Sequence, residues 1–298
     1  MLERVSYDHG IHLRGTPLWF DADRKRELCI ATSLALGLPP KHVRLIASPE
    51  MVEALNQAGF KGAMLPAPWD RWEGVGGQEV QLVPAPARPG ACCAVVAMGS
   101  ERVLVTGLLR KEVIRWPQAD LLVATTPALG GRGAKLESVL KGLQLFLDQA
   151  TAERARALVI VGSLEVALDI LDALRANGRV MKAVGLVGRL AAKATVGGGA
   201  HSLGIWDVRT APGTRVAWVD CGLMSFKQAK SGAPDPDVTF TLRYYADWIS
   251  LKHAVTVSGA RQVVLIGASS QSLALARAKL GGMVEVRALA PARQLSLE

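Results

Sequence analysis

Residues 28–49 read LCIATSLALGLPPKHVRLIASP, and the order of residue types in this stretch decides what kind of fold to expect. Cys29-Ile30-Ala31 is apolar and of strand length. Small residues follow and suit a turn, then a short helix or loop. A second apolar strand comes next and ends at Ser48-Pro49. Strand, short connection and strand together make half of an α/β layer.

The composition is compatible with that start. A chain of 298 residues makes one large domain or two moderate ones, and half its residues are apolar, enough for a substantial core. No apolar run reaches the ~18 residues that a membrane-crossing helix needs. The first ten residues, MLERVSYDHG, lack the apolar centre of a signal peptide, so the expected location is the cytoplasm. Cys29, Cys92, Cys93 and Cys221 form no C-x-x-C pair, which argues against a disulfide framework or a zinc site and for small buried side chains. The formal net charge is +9, an excess that draws polyanions, so nucleic acid is a candidate partner.

Outward from the opening stretch, the pattern changes twice. Residues 1–20 read as a hairpin or two short strands. Residues 50–58 read as a short helix stopped by Gly59, and 66–77 as irregular. Three strands, 78–83, 92–98 and 102–106, form a meander. The run 119–125 is a strand apolar on both faces. Strands and helices then alternate: a helix over 135–150, with Leu136, Val139, Leu140, Leu143 and Leu147 on one side, a strand over 156–161, a helix over 164–177 and a strand over 180–187. This block reads as a separate layer or an inserted domain. A strand at 215–219, a flexible turn-rich linker at 231–237, a helix at 247–257, a strand at 262–266 and a helix at 270–280 complete the chain. The strand–Gly267–helix passage lacks G-x-G-x-x-G, which argues against a dinucleotide site.

Several passages resemble the metallo-β-lactamase fold, and within it the β-CASP-like nucleases and DNA-ligase-associated exonucleases. The opening stretch resembles a family segment running Cys-Phe-Val-Ser-His-x-His-x-Asp-His. Laid on it without a gap, the four metal-binding positions become Ser33, Ala35, Gly37 and Leu38. Gly15 to Asp21 resembles the family's opening hairpin. Pro84 to Cys92 is similar to Pro-Ala-Gly-His-x-x-Gly-Ser-Ala, with Ala87 at the His. Arg102 to Leu109 is similar to the strand ending Thr-Gly-Asp-Phe, with Leu108 at the bridging Asp. Ala119 to Gly130 resembles Ala-Asp-x-Leu-Val-x-Glu-Ser-Thr-x-Gly, with Thr125 at the Glu. Tyr244 to Trp248 resembles Asp-His-Ala-Asp-Phe, with Tyr245 at the His. The passage after Gly259 is similar to a strand ending Thr-His-Gly, with Gly267 at the last His.

The resemblance implies an αββα metallo-β-lactamase sandwich with an inserted β-CASP-like α/β cap. The first part of the sandwich would span 1–128, the cap 129–225 and the second part 226–298. It also implies a lost activity. The family's chemistry uses two cations that acidify a bridging water and brace a phosphate. Ser33, Ala35, Gly37, Leu38, Ala87, Leu108 and Gly267 offer at most one weak hydroxyl, so no metal and no cofactor are expected. No catalytic residue is assigned.

The first functional expectation is therefore a metal-free pseudoenzyme that binds or scaffolds, with nucleic acid, an active nuclease paralogue or another DNA-repair or RNA-processing protein as partner, alone or as an oligomer. Trp206, Trp218, Phe226 and Trp248 are candidates for an interface. A second is a hydrolase or exonuclease with its site rebuilt elsewhere, from His9, His12, His42, His201 and His253 with Asp8, Asp21 and Asp247, or from Cys92 or Cys93 as a nucleophile. A third is a small-molecule binder using the vacated cleft. One positive feature remains: Ala173 to Trp206 holds no acidic residue but carries Arg175, Arg179, Lys182, Arg189 and Lys193, a candidate polyanion-binding face.

Overall fold

The structure is a computed structural model; it describes residues 2–85, 89–109, 115–125, 133–191, 201–205, 208, 210–221, 234–244 and 248–289. The chain divides into two compact units. One comprises Met1–Leu34, Leu38–Gly130 and Tyr245–Glu298; the other comprises Ala35–Gly37 and Gly131–Tyr244. The expected cap covered 129–225, whereas the second unit returns at Tyr244, because its last strand lies beyond residue 225.

The first unit opens with the strands β1 (Val5–Tyr7), β2 (Ile11–Leu13), β3 (Trp19–Phe20), β4 (Leu28–Ile30) and β5 (Arg44–Ala47). Helix α1 (Pro49–Gln57) follows, then β6 (Met64–Pro66), and the six strands pair in chain order as one sheet. Between β4 and β5 there is no helix. Ser48 caps α1 by accepting the Met51 N–H at 3.2 Å, with Pro49 at the first helical position, where its missing donor costs nothing.

A second sheet begins with β7 (Trp72–Val75), β8 (Gln78–Pro84), β9 (Cys92–Met98), β10 (Glu101–Leu108) and β11 (Leu121–Thr125). Strands β7 to β10 pair antiparallel, whereas β11 joins β10 in parallel.

The chain then makes the second unit: α2 (Leu136–Ala152), β12 (Arg156–Val161), α3 (Leu164–Ala176), β13 (Met181–Ala183), α4 (Gly185–Leu190), β14 (His201–Gly204), β15 (Thr214–Asp220) and β16 (Val238–Thr241). Its five strands are parallel in the order β13-β14-β12-β15-β16. The central strand β12 is buried along Ala157–Val161, as a parallel strand covered on both faces must be. The expected strand 180–187 is cut short. Gly185 adopts φ +59°, a left-handed conformation that breaks the extended run, and α4 starts there. Ala134 pairs with Leu242, so the chain entering this unit lies beside the chain leaving it.

The first unit resumes with α5 (Trp248–Ser258), β17 (Gln262–Ile266), α6 (Ser270–Leu280) and β18 (Glu285–Leu289). β17 pairs in parallel with both β11 and β18, giving the second sheet the order β18-β17-β11-β10-β9-β8-β7. Strand alternation divides its side chains into two sets. Cys92, Ala94, Val96, Val103, Val105, Leu121 and Val123 meet the first sheet's Ile11, Leu13, Phe20, Ile30 and Ile46 in one core. Cys93, Val95, Leu104, Leu122, Ala124, Val263 and Leu265 turn to the other face, against Leu251, Ala254 and Val255 of α5 and Ala276 and Leu280 of α6. The first unit is thus two sheets face to face with helices on an outer face, and the molecule as a whole is a mixed α/β protein with three sheets and six helices among the described residues. None of those helices is long and apolar enough to cross a membrane.

Of the tryptophans named for an interface, Trp218 is a core residue at 7% exposure, and Trp248 is half-buried under the Lys279 ammonium, 5.0 Å from its ring centre. Trp206 and Phe226 lie outside the described residues, as do 231–233 of the expected linker.

Candidate functional site

The end of the first unit where β4, β10, β11 and β17 finish is built around one carboxylate. Asp21 follows β3 at φ +46°, a left-handed conformation that aspartate tolerates better than most residues. Its Oδ1 accepts the Thr32 N–H at 2.7 Å and its Oδ2 accepts the Thr32 hydroxyl. Thr32 is buried, and its carbonyl accepts the Cys92 N–H at 2.9 Å, so the turn after β4 is tied to β9. Gly107 lets β10 pass at contact distance. A Cβ there would lie 1.9 Å from Thr32 Oγ1 and 3.3 Å from Asp21 Oδ2. Nearby, Ser48 donates to the Gly90 carbonyl at 2.6 Å while capping α1.

Ser33 and Leu108 adjoin this feature as neighbours of Thr32 and Gly107, and Thr125 and Gly267 follow at the next strand ends. Ser33 is half-buried and directly follows Thr32. Leu108 is 9% exposed and faces Thr125 in the β10–β11 register; Thr125 in turn pairs with Ile266, the residue before Gly267. Gly267 has φ +74° and open space around its missing Cβ. Three of these residues therefore occupy adjacent carboxyl ends of strands β10, β11 and β17. Leu38 is half-buried in the same unit, whereas Ala35 and Gly37 belong to the second, where the Ala35 carbonyl accepts the Leu164 N–H at 2.9 Å. Ala87 and Tyr245 lie outside the described residues.

This donor set does not suit a divalent cation. Two hydroxyls, a leucine and a glycine give no imidazole, and the one carboxylate is hydrogen-bonded twice to Thr32. Among the described residues, no three His, Cys, Asp or Glu side chains come together as a possible metal site.

The histidines are dispersed. His9 pairs with Asp23 at 3.0 Å at the tip of the β1–β2 hairpin. His12 stacks on Trp19, with ring centres 4.3 Å apart, and the Arg26 guanidinium lies 3.5 Å from the centre of the same indole. His42 is buried and accepts the Arg26 N–H at 3.1 Å; burial, and secondarily the Arg26 charge, hold its pKa below the ordinary value. His201, beside the Thr151 hydroxyl, is lowered by burial and by Arg179, with Asp148 opposing. His253 is exposed on α5.

The cysteines are all buried. Burial pushes the Cys29 thiol up to about 12 and also raises Cys221, so neither is a ready thiolate nucleophile. The Cys92 and Cys93 thiols donate to the carbonyls of Ala31 and Thr106.

The basic set lies in the second unit but is not uniformly free. Arg179 holds Asp148 at 2.6 Å, a partner 31 residues upstream that the acid-free stretch does not reveal. Arg175 ends α3 and reaches the Met181 carbonyl at 3.4 Å. Lys182 on β13 and Arg189 on α4 are exposed, and Lys193 is outside the described residues.

Sequence reasoning missed one further feature, a cavity of about 350 Å³ in the first unit, lined by Trp72, Arg102 and Arg115 among others. Its residues come from segments far apart in the sequence, one of them read as irregular.

Neither a family model nor a curated protein matches the sequence. Solved structures do match. One is the crystal structure of a protein of unknown function from Enterococcus faecalis V583, with a TM-score of 0.55 and 12% identity, the match covering 89% of this chain and 80% of that one. At that identity the likeness is one of fold.

Proposed function

We propose that the chain is a metallo-β-lactamase-type framework with a β-CASP-like insertion that no longer performs metal-dependent hydrolysis and works as a binding or scaffolding protein. Two facing sheets, helices on an outer face and a parallel α/β unit inserted in the chain support the framework part of this reading. The observation that carries the functional part is the edge formed by Leu108, Thr125 and Gly267. In the family that the sequence resembles, those positions supply metal-binding or catalytic groups, and here adjacent strand ends carry an isobutyl group, a hydroxyl and no side chain. An apolar group at a bridging position also disfavours a hydrated cation.

The partner in this reading is a polyanion or an active nuclease, with Lys182 and Arg189 as the exposed charges of the second unit. The test is metal analysis of the purified protein, with phosphodiester cleavage assayed in added manganese or zinc. The expected result is no stoichiometric metal and no cleavage that a chelator stops. A bound metal pair, or chelator-sensitive cleavage lost on replacing the histidines named above, would make the protein a hydrolase with a rebuilt site.

A further inference from the structure

The second sheet is unevenly covered. Its outer apolar residues pack against α5 and α6 around β10, β11, β17 and β18. Toward the β7 edge the same face carries Trp72, Gln81 and Arg102. Trp72 is opposite Gln81 in the β7–β8 register, and Arg102 lies two residues from outward-facing Leu104. The cavity of about 350 Å³ opens here, at the lower end of the range for small-ligand sites.

The lining is chemically specific. Arg102 and Arg115 both face the cavity, and neither forms an ion pair with a described residue. By contrast Arg4, Arg26, Arg179, Arg215 and Arg287 each hold a carboxylate. Trp72 is 39% exposed, unusual for a large aromatic side chain. The Arg102 guanidinium stands over its ring at 5.8 Å, whereas Arg26 sits on Trp19 at 3.5 Å. A planar ring inserted between guanidinium and indole needs about 7 Å, two contacts of ~3.5 Å, so a shift of the flexible Arg102 side chain by about 1 Å opens the slot. Gln81 donates an amide N–H to the Asp70 carbonyl at 3.0 Å, and Gln118 donates one to the Val257 carbonyl at 2.8 Å. These bonds orient both amides, whose other polar atoms can meet the edge of a ring.

We propose that this cavity binds a mononucleotide. The base stacks on Trp72 beneath Arg102, Arg115 takes the phosphate, and Gln81 and Gln118 hydrogen-bond the edge of the base. Asp70, also in the lining, offers a carboxylate that can accept from sugar hydroxyls, a group inorganic phosphate lacks, which favours a nucleotide.

The test is calorimetric titration of the full chain with 5′-AMP, 5′-UMP, adenosine, inorganic phosphate and a short oligothymidylate. The expected result is saturable binding of both mononucleotides with Kd below about 1 mM, and binding of adenosine and of phosphate weaker by about tenfold or more. Trp72→Ala and Arg115→Ala should each weaken the mononucleotides by about tenfold, and Arg115→Ala, whose side chain is exposed, should leave Tm unchanged. The proposal is overturned if neither mononucleotide binds, if phosphate alone binds as tightly, or if both variants bind like the parent. Binding of the oligonucleotide with the mononucleotides silent would also overturn it and make this face a single-strand contact.

Discussion

Gly107 and Gly267 are both glycines in left-handed backbone, at φ +58° and +74°, yet replacing them should have different costs. A Cβ at Gly267 meets nothing within 4 Å, so Gly267→Ala adds only the backbone penalty of about 1–2 kcal/mol. At Gly107 the same atom collides with Thr32 and crowds Asp21, and the overpacking adds about 1–3 kcal/mol more. Urea unfolding of the two variants should therefore rank Gly107→Ala as clearly the less stable. His42 makes a second prediction at this scale. Its native pKa lies below the ordinary 6.5, so as pH falls through that value the unfolded chain takes up a proton that the native residue does not. Stability should drop between about pH 7 and pH 5, and His42→Gln, which keeps an acceptor for the Arg26 N–H, should flatten that drop. His201, also lowered, leaves part of the slope in place.

Elements announce themselves when one face differs from the other. In α2, Val139, Leu143 and Leu147 recur at the helical period and are buried, while Leu145 on the opposite side is 71% exposed. Leu143→Ala should cost about 2–5 kcal/mol and Leu145→Lys less than about 0.5, measured by thermal or urea unfolding. The same contrast explains what the sequence discloses. The apolar runs of β9, β11, β12 and β17 are readable because the sheets bury both of their faces. The short or edge strands β6, β7, β14, β16 and β18 are not. Trp72-Glu-Gly-Val is exposed at two of its four residues and contains a glycine, and β18 alternates Glu285 and Arg287 with its buried valine. At the candidate site, Leu108, Thr125 and Gly267 were named one by one from the resemblance, but their adjacency at three strand ends was not legible. The Asp21–Thr32–Gly107 contact that joins three segments was not legible, because hydrogen bonds and close packing between residues far apart in the sequence leave no local pattern. The Arg179–Asp148 pair is hidden for the same reason.

At the scale of the molecule, a net charge of +9 gives a general attraction for polyanions that cannot by itself locate a contact. If the second unit carries the contact, Lys182→Glu with Arg189→Glu should weaken nucleic-acid binding and lower the slope of log K against log salt by about one per lost phosphate contact. Arg179→Ala should do less, since its charge already holds Asp148. Filter binding at about 50 and 200 mM salt separates these cases, and identical slopes would remove the second unit as the nucleic-acid contact.

The order of synthesis sets the β11 strand apart. It ends up between β10 and β17, but the ribosome delivers these neighbours at very different times. At about 5–20 residues per second, the roughly 140 positions from β11 to β17 take about 7–30 s to make, while the whole parallel unit emerges and can close on itself. Throughout that interval Leu121–Ala124 presents an unpaired, oily border, the kind of surface that chaperones clasp and that nascent chains use to stick to one another. A late-arriving partner strand thus makes the newborn polypeptide most vulnerable at what becomes the middle of its finished sheet.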